Sequence, residues 1–214
     1  SDVHDTTYPS GLRQPSMPSW LCPRDAIDAE RGESAGAHGE PHIITFAGDA
    51  YDFQAIGEFV ALRVGDSSEH DVQLRLEPHG TSNHVSVVTG LAMRCGGLRI
   101  EFALGGGVRI DQKDVGVDDV VVREGVALRS LWSGTSVSGC PQGSVFVYRT
   151  TVGLNVVLEP AASLRNRAHG ILGRFGNAAA GTLPRLRGES MPLPRGEVSF
   201  SEPLYTQFAA DWRV

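Results

Sequence analysis

From residue 41 onward, apolar and polar positions alternate with period two in one short run after another. The runs 58–64 (EFVALRV), 72–76 (VQLRL) and 84–95 follow this pattern, Ile43 and Thr45 open the series, and the strand-like runs 98–102, 108–110, 120–123, 126–131, 144–150 and 154–158 complete it. Successive side chains of an extended chain point to opposite faces, so each run reads as a strand with one face turned to a core. Turn residues separate the runs at intervals of roughly 8–12 residues, the spacing of an antiparallel sandwich. Gly96-Gly97 between two such runs predicts a two-residue hairpin, and Gly105-Gly106-Gly107 predicts the next turn. The pattern predicts an all-β, antiparallel two-sheet sandwich.

The two ends break the pattern. Leu204, Phe208 and Trp212 fall at i, i+4 and i+8, one apolar stripe of a short helix that docks on the sheets. Ser201 is its expected cap, with Pro203 in the first turn, where a missing N–H costs nothing. Residues 178–199 are rich in Ala, Gly and Pro and read as a long irregular loop. Residues 1–38 carry Pro9, Pro15, Pro18 and Pro23 among Ser, Asp and Gly, and read as an extended arm or linker, with Trp20 as its apolar anchor. A helical turn is expected over 25–31 and a flexible lead-in over 34–38. The domain division is thus 1–38 for the arm and 39–214 for the β domain. A chain that starts at Ser1 without a signal-like segment reads as a mature product or an excised piece.

Composition narrows the function classes. The 214 residues are 41% hydrophobic, enough for a sizeable core. The net charge is −6, Lys113 is the only lysine, and no long basic run exists, which argues against nucleic-acid binding because phosphate neutralisation needs clustered cations. Apolar runs fall far short of the roughly 18 residues of a membrane span.

One stretch carries a family signature. Residues 39–54 read GEPHIITFAGDAYDFQ, and Gly57-Glu58-Phe59 follow. This resembles the opening of a von Willebrand factor type D domain, usually close to GDPHxxTFDGxxYDFQGxGEY. Further marks are Val72-Gln73-Leu74-Arg75, Met93-Arg94-Cys95-Gly96-Gly97, Gly153-Leu154-Asn155-Val156, Gly170-Ile171-Leu172-Gly173, and a close in which Leu204-Tyr205, Phe208-Ala209 and Trp212-Arg213-Val214 look like LYxxFADSWRV. The resemblance covers roughly residues 39–214. It implies the same sandwich fold; the family's animal relatives are rich in cysteine, whereas the three cysteines and the Arg/Ala/Gly-rich composition here read as a sparsely crosslinked, bacterial member.

The resemblance also implies two chemistries, and the residues argue against both. Family members often hold Ca²⁺ with the Asp of TFDG and the oxygens of a GNxNGxxxDD loop. Here Ala47 replaces that Asp, Arg174 stands where an Asn is expected, and Gly181 and Thr182 replace the acidic pair. Calcium needs six to eight hard oxygens, several of them carboxylate, so the site is expected to be lost. Some relatives cleave themselves at the Asp-Pro bond of GDPH through a five-membered anhydride. In Gly39-Glu40-Pro41-His42 the acid is Glu40, whose ring would be six-membered with one more rotor to freeze. The motif is therefore degenerate, and His42 is expected to serve as a hydrogen-bonding residue at a strand edge. No hydrolase, P-loop or dinucleotide fingerprint is present, and no cofactor is expected. Asp111, Asp114, Asp118 and Asp119 read as a solvated acidic edge that discourages strand pairing.

Three cysteines allow one internal disulfide. A Cys22–Cys140 bond would tie the arm to the domain, leaving Cys95 as a buried free thiol. Cys95–Cys140 is the competing pairing. The sequence points to a non-enzymatic, secreted or cell-surface β module for assembly or adhesion, contacting a protein partner or its own copies through the N-terminal arm. A ligand- or lipid-carrying module is the alternative.

Overall fold

The computed structural model describes residues 34–82, 84–116, 120–131, 134–177, 179–193 and 202–214. In chain order the strands begin with β1 (Ala35–His38), β2 (His42–Ile44), β3 (Ala50–Asp52), β4 (Gly57–Val64), β5 (Ser67–Pro78) and β6 (Ser86–Cys95). Next come β7 (Leu98–Ala103), β8 (Val108–Ile110), β9 (Lys113–Val115), β10 (Val120–Arg123), β11 (Val126–Leu131) and β12 (Gly134–Cys140). The last six are β13 (Gly143–Arg149), β14 (Leu154–Pro160), β15 (Ala168–Gly170), β16 (Gly173–Arg174), β17 (Thr182–Pro184) and β18 (Ser190–Pro192).

Sheet one has the order β10-β11-β12-β13-β14-β1-β2-β3 and sheet two the order β16-β15-β4-β5-β6-β7-β8-β9. All pairings are antiparallel, and the two sheets enclose one core, the all-β sandwich expected from the alternation. Val72, Leu74 and Leu76 of β5 are buried while Arg75 between them is exposed; Leu98, Ile100 and Phe102 of β7 repeat the pattern around Arg99. The Gly96-Gly97 turn pairs Cys95 with Leu98 as predicted.

Two expectations are corrected here. The lead-in 34–38 is not flexible: Ala35–His38 forms β1, which lies between β14 and β2 inside sheet one, with Ala35, Gly36 and Ala37 buried. Small side chains hid it, because Ala and Gly give no apolar alternation. Likewise the loop 178–199 contains a hairpin, β17–β18, closed by Arg185 N–H donating to Glu189 O at 2.8 Å. Proline cannot donate to a sheet ladder and is confined to edge strands and strand ends, and Pro184 and Pro192 sit at the ends of these two strands.

The C-terminal helix forms as the stripe predicts. A wide turn over Leu204–Phe208 leads into α1 (Ala209–Trp212), and Leu204, Phe208 and Trp212 are all buried. The ring of Phe53 lies 5.0 Å from Phe59, 6.1 Å from Phe208 and 6.1 Å from Tyr205, so the aromatics of the signature stretch are the ones that receive the helix. Trp212 Nε1–H donates to Pro184 O at 3.0 Å. Arg213 then bridges to Phe59, and Val214 N–H donates to Glu58 O at 3.0 Å, extending sheet two beside β4. A bidentate pair between Arg63 and the buried Asp71, at 2.6 Å, sits on β4 and β5.

Candidate functional site

The degenerate cleavage motif occupies the hairpin between β1 and β2. Gly39 N–H donates to Asn155 Oδ1 at 2.8 Å, and Pro41 O accepts from Phe53 N–H at 2.9 Å, so the backbone on both sides of Glu40 is pinned. Glu40 itself is exposed, and its carboxylate has no partner among the described residues. His38, His42 and Asp52 line up across three strands, because His38 pairs with His42 and His42 with Asp52. His42 Nδ1 lies 2.5 Å from Asp52 Oδ1, both at the surface, a cross-strand hydrogen bond from β2, which is paired on both sides, to β3. Burial holds the His38 imidazole below its ordinary value of 6.5, and the neighbouring His42 adds to this. A carboxylate that protrudes from a hairpin is not held against its own carbonyl, the condition under which proximity lowers a barrier.

The four positions expected to have lost calcium lie around the loop end formed by the 45–49 turn and residues 173–182. Gly48 N–H donates to Thr45 O at 2.9 Å, closing the turn that carries Ala47. Gly181 presents a donor rather than an oxygen: its N–H meets Asp49 Oδ2 at 2.7 Å. Thr182 Oγ1 donates to Ala179 O at 2.7 Å. Arg174 pairs through its backbone with His169, and its guanidinium makes no ion pair among the described residues. The four positions themselves supply one hydroxyl and one guanidinium, and the Asp49 carboxylate beside them is engaged by Gly181 N–H, a poor donor set for a hard cation that needs six to eight oxygens. Among the described residues, no group of three or more His, Cys, Asp and Glu side chains is placed to hold a metal.

Sequence reasoning missed the residues that orient these loops. Asn155 was visible only as part of a strand, yet it ties β14 to the hairpin. Asn166, at φ 64°, turns its Oδ1 to Asn177 N–H at 2.8 Å. A side chain at Gly176 would meet that same oxygen at 2.5 Å, so glycine is required there by space as well as by its φ of 106°. An Asn before a basic residue in an irregular run gives no signal of this kind in one sequence.

The disulfide expectation is corrected. Cys95 and Cys140 are bonded, with Cα atoms 4.9 Å apart, so Cys95 is not a free thiol and Cys140 is not available to Cys22. The physical reason is placement: β6 and β12 end at the same rim of the sandwich, one in each sheet, and bring both cysteines into the core. Cys22, Trp20, the 25–31 turn, Ser201, Asp118 and Asp119 lie outside the described residues. Asp111 and Asp114 of the acidic edge are engaged locally, Asp111 Oδ1 accepting from Arg99 N–H at 2.9 Å and Asp114 pairing with Arg109 at 3.0 Å. No helix among the described residues is long and apolar enough to cross a membrane.

Comparison with curated proteins returned no match. A family model does match: that of the von Willebrand factor type D domain, over residues 36–181. The match opens on β1, takes in both sheets, and ends at Gly181, the residue that caps Asp49. The family is one of non-enzymatic protein-interaction modules of extracellular proteins, and this chain belongs to it: it is a von Willebrand factor type D domain.

Proposed function

We propose that this domain is a secreted or cell-surface assembly module that has kept the family scaffold and shed both of the family's chemistries. The observation that carries the reading is the family match over a sandwich whose cleavage acid, Glu40, stands out in solvent and whose calcium positions hold Ala47, Arg174, Gly181 and Thr182. With no bound metal or cleavage step to regulate it, the domain works by presenting surfaces to protein partners or to its own copies. Residues 1–33 are the proposed contact arm, with Trp20 as its apolar anchor. Large aromatic side chains carry much of the energy of protein contacts, which favours Trp20 in that role.

The test is light scattering on the full chain and on a chain beginning at Ser34. The cut must fall there and not at residue 38, because removing Ala35–His38 deletes a strand from the interior of sheet one. Concentration-dependent assembly of the full chain that disappears on truncation supports the reading. A full chain that stays monomeric and takes up lipid overturns it.

A further inference from the structure

The inference rests on the interaction-module reading and names the chemistry of one partner contact. The net charge of the chain is −6, yet residues 161–193 carry Arg165, Arg167, Arg174, Arg185 and Arg187 against a single acid, Glu189. Two of the five are occupied. Arg185 makes a bidentate pair with Asp211, at 2.6 Å for its Nε, and Arg165 lies 5.2 Å over the Phe175 ring. Arg167, Arg174 and Arg187 make no ion pair among the described residues.

A groove of about 470 Å³ opens at this end, between Asn166, Arg174 and Asn177 on one side and the β17–β18 hairpin on the other. Its polar side chains are Asn166, Arg174, Asn177, Thr182 and Ser190, and no acidic side chain lines it. Arg174 is rooted on β16, so its backbone is fixed by the sheet. Asn166 is oriented as well: only a carboxamide oxygen can accept from Asn177 N–H, so the NH₂ group is left as the free donor. The outer face of sheet two offers a comparable depression, but its charges are already matched there, Arg75 to Glu58 and Arg99 to Glu101, both at 2.6 Å.

We propose that this groove binds the carboxylate side chains of an acidic polypeptide segment, with Arg174 as the charged anchor. A guanidinium is a planar fork that matches a carboxylate with two parallel hydrogen bonds, and the amide donors beside it are neutral. One cation in the lining balances one carboxylate; a dianionic phosphate would call for a second convergent cation. Exposed Arg167 and Arg187 flank the groove in sequence and suit further acidic residues on either side of the anchored one.

Fluorescence anisotropy of labelled hexaglutamate, titrated with the full chain at low salt, tests this against hexaglutamine and inorganic phosphate. Saturable binding of hexaglutamate is expected, weakened by added salt, with hexaglutamine not bound and phosphate a poor competitor. R174A weakens it at least tenfold and R174K retains part of it, while R109A, on the opposite edge of sheet two, leaves it unchanged. Melting curves of the three variants confirm that each is folded, and R174Q replaces R174A if that one is not. No saturable binding, affinity in R174A or R174Q equal to that of the wild type, or phosphate outcompeting the peptide overturns the proposal. Loss of peptide binding with self-assembly intact sinks this inference alone; loss of assembly with peptide binding intact sinks the arm-mediated reading instead.

Discussion

Cys95 at the end of β6 and Cys140 at the end of β12 join the two sheets covalently, across a sequence separation of 45 residues. Closing a loop of that length removes chain entropy from the unfolded state worth about 4 kcal/mol in the entropic model. The double variant C95A/C140A is expected to lose roughly that much stability in urea unfolding. Its m-value should rise, because the unfolded chain is freed to expand. Non-reducing peptide mapping of the native chain should show Cys95 and Cys140 peptides joined. A Cys22–Cys140 peptide contradicts this arrangement.

Trp212 closes the fold. It is fully buried, donates to Pro184 O and meets the His169 ring edge-on at 5.3 Å between centroids. W212A is expected to cost about 3–5 kcal/mol, the range for removing a buried large aromatic. W212F keeps most of the packing, although it leaves the Pro184 carbonyl without its donor, and should cost less than half as much. Arg213 is seated beside it, 4.9 Å over the Phe59 ring and donating to Ile56 O at 3.0 Å. A Cβ at Gly57 would lie 2.4 Å from the Arg213 guanidinium, so G57A should loosen the same tail. Chemical denaturation of the three variants checks the order.

How much of this was legible depended on what each element is made of. Strands with alternating large side chains, such as Val72-Gln73-Leu74-Arg75-Leu76, announced themselves. The strands β1 and β12, made mostly of Ala, Gly, Ser and Thr, did not, because such small residues give no apolar alternation; the buried positions of β12 are just Val137 and Cys140. The helix stripe at Leu204, Phe208 and Trp212 was readable from spacing alone, and its docking partners were already singled out as signature aromatics. The disulfide was not readable, since pairing follows from which strand ends share a rim. The candidate site was half legible: the replacements at Ala47 and Arg174 are plain in the sequence, whereas the arginine groove exists only once Asn166, Arg174 and Asn177 meet the β17–β18 hairpin.

Two histidines set a pH dependence with a definite sign. Burial is the larger cause of the lowered value at both His38 and His169. His42 adds to it at His38; Arg174 and then Arg63 add to it at His169, against smaller opposing effects of Asp66 and Asp71. Each takes up a proton more readily unfolded than folded. The stability they contribute is therefore complete above the unfolded value of about 6.5 and is lost as pH falls from there through the folded values. Melting temperature is expected to drop on acidification below that point, and the H38Q/H169Q variant should show a shallower drop. An equal slope in the variant contradicts the assignment.

Neither family chemistry should operate. Millimolar calcium is expected to leave the melting temperature unchanged, since the positions that would bind it offer a single hydroxyl and an arginine beside one carboxylate, Asp49, already engaged by Gly181 N–H; a rise of several degrees at sub-millimolar calcium contradicts this. Prolonged incubation at mildly acidic pH should leave the intact mass unaltered, and a fragment beginning at Pro41 would show that Glu40 still cleaves.

The central claim, that this domain is an assembly module working through its N-terminal segment, is most directly tested by size-exclusion chromatography with light scattering over a concentration series. The full chain should grow in mass as concentration rises, while the chain beginning at Ser34 stays at one monomer mass throughout. Identical behaviour of the two chains, or a full chain that remains monomeric at every concentration, contradicts it.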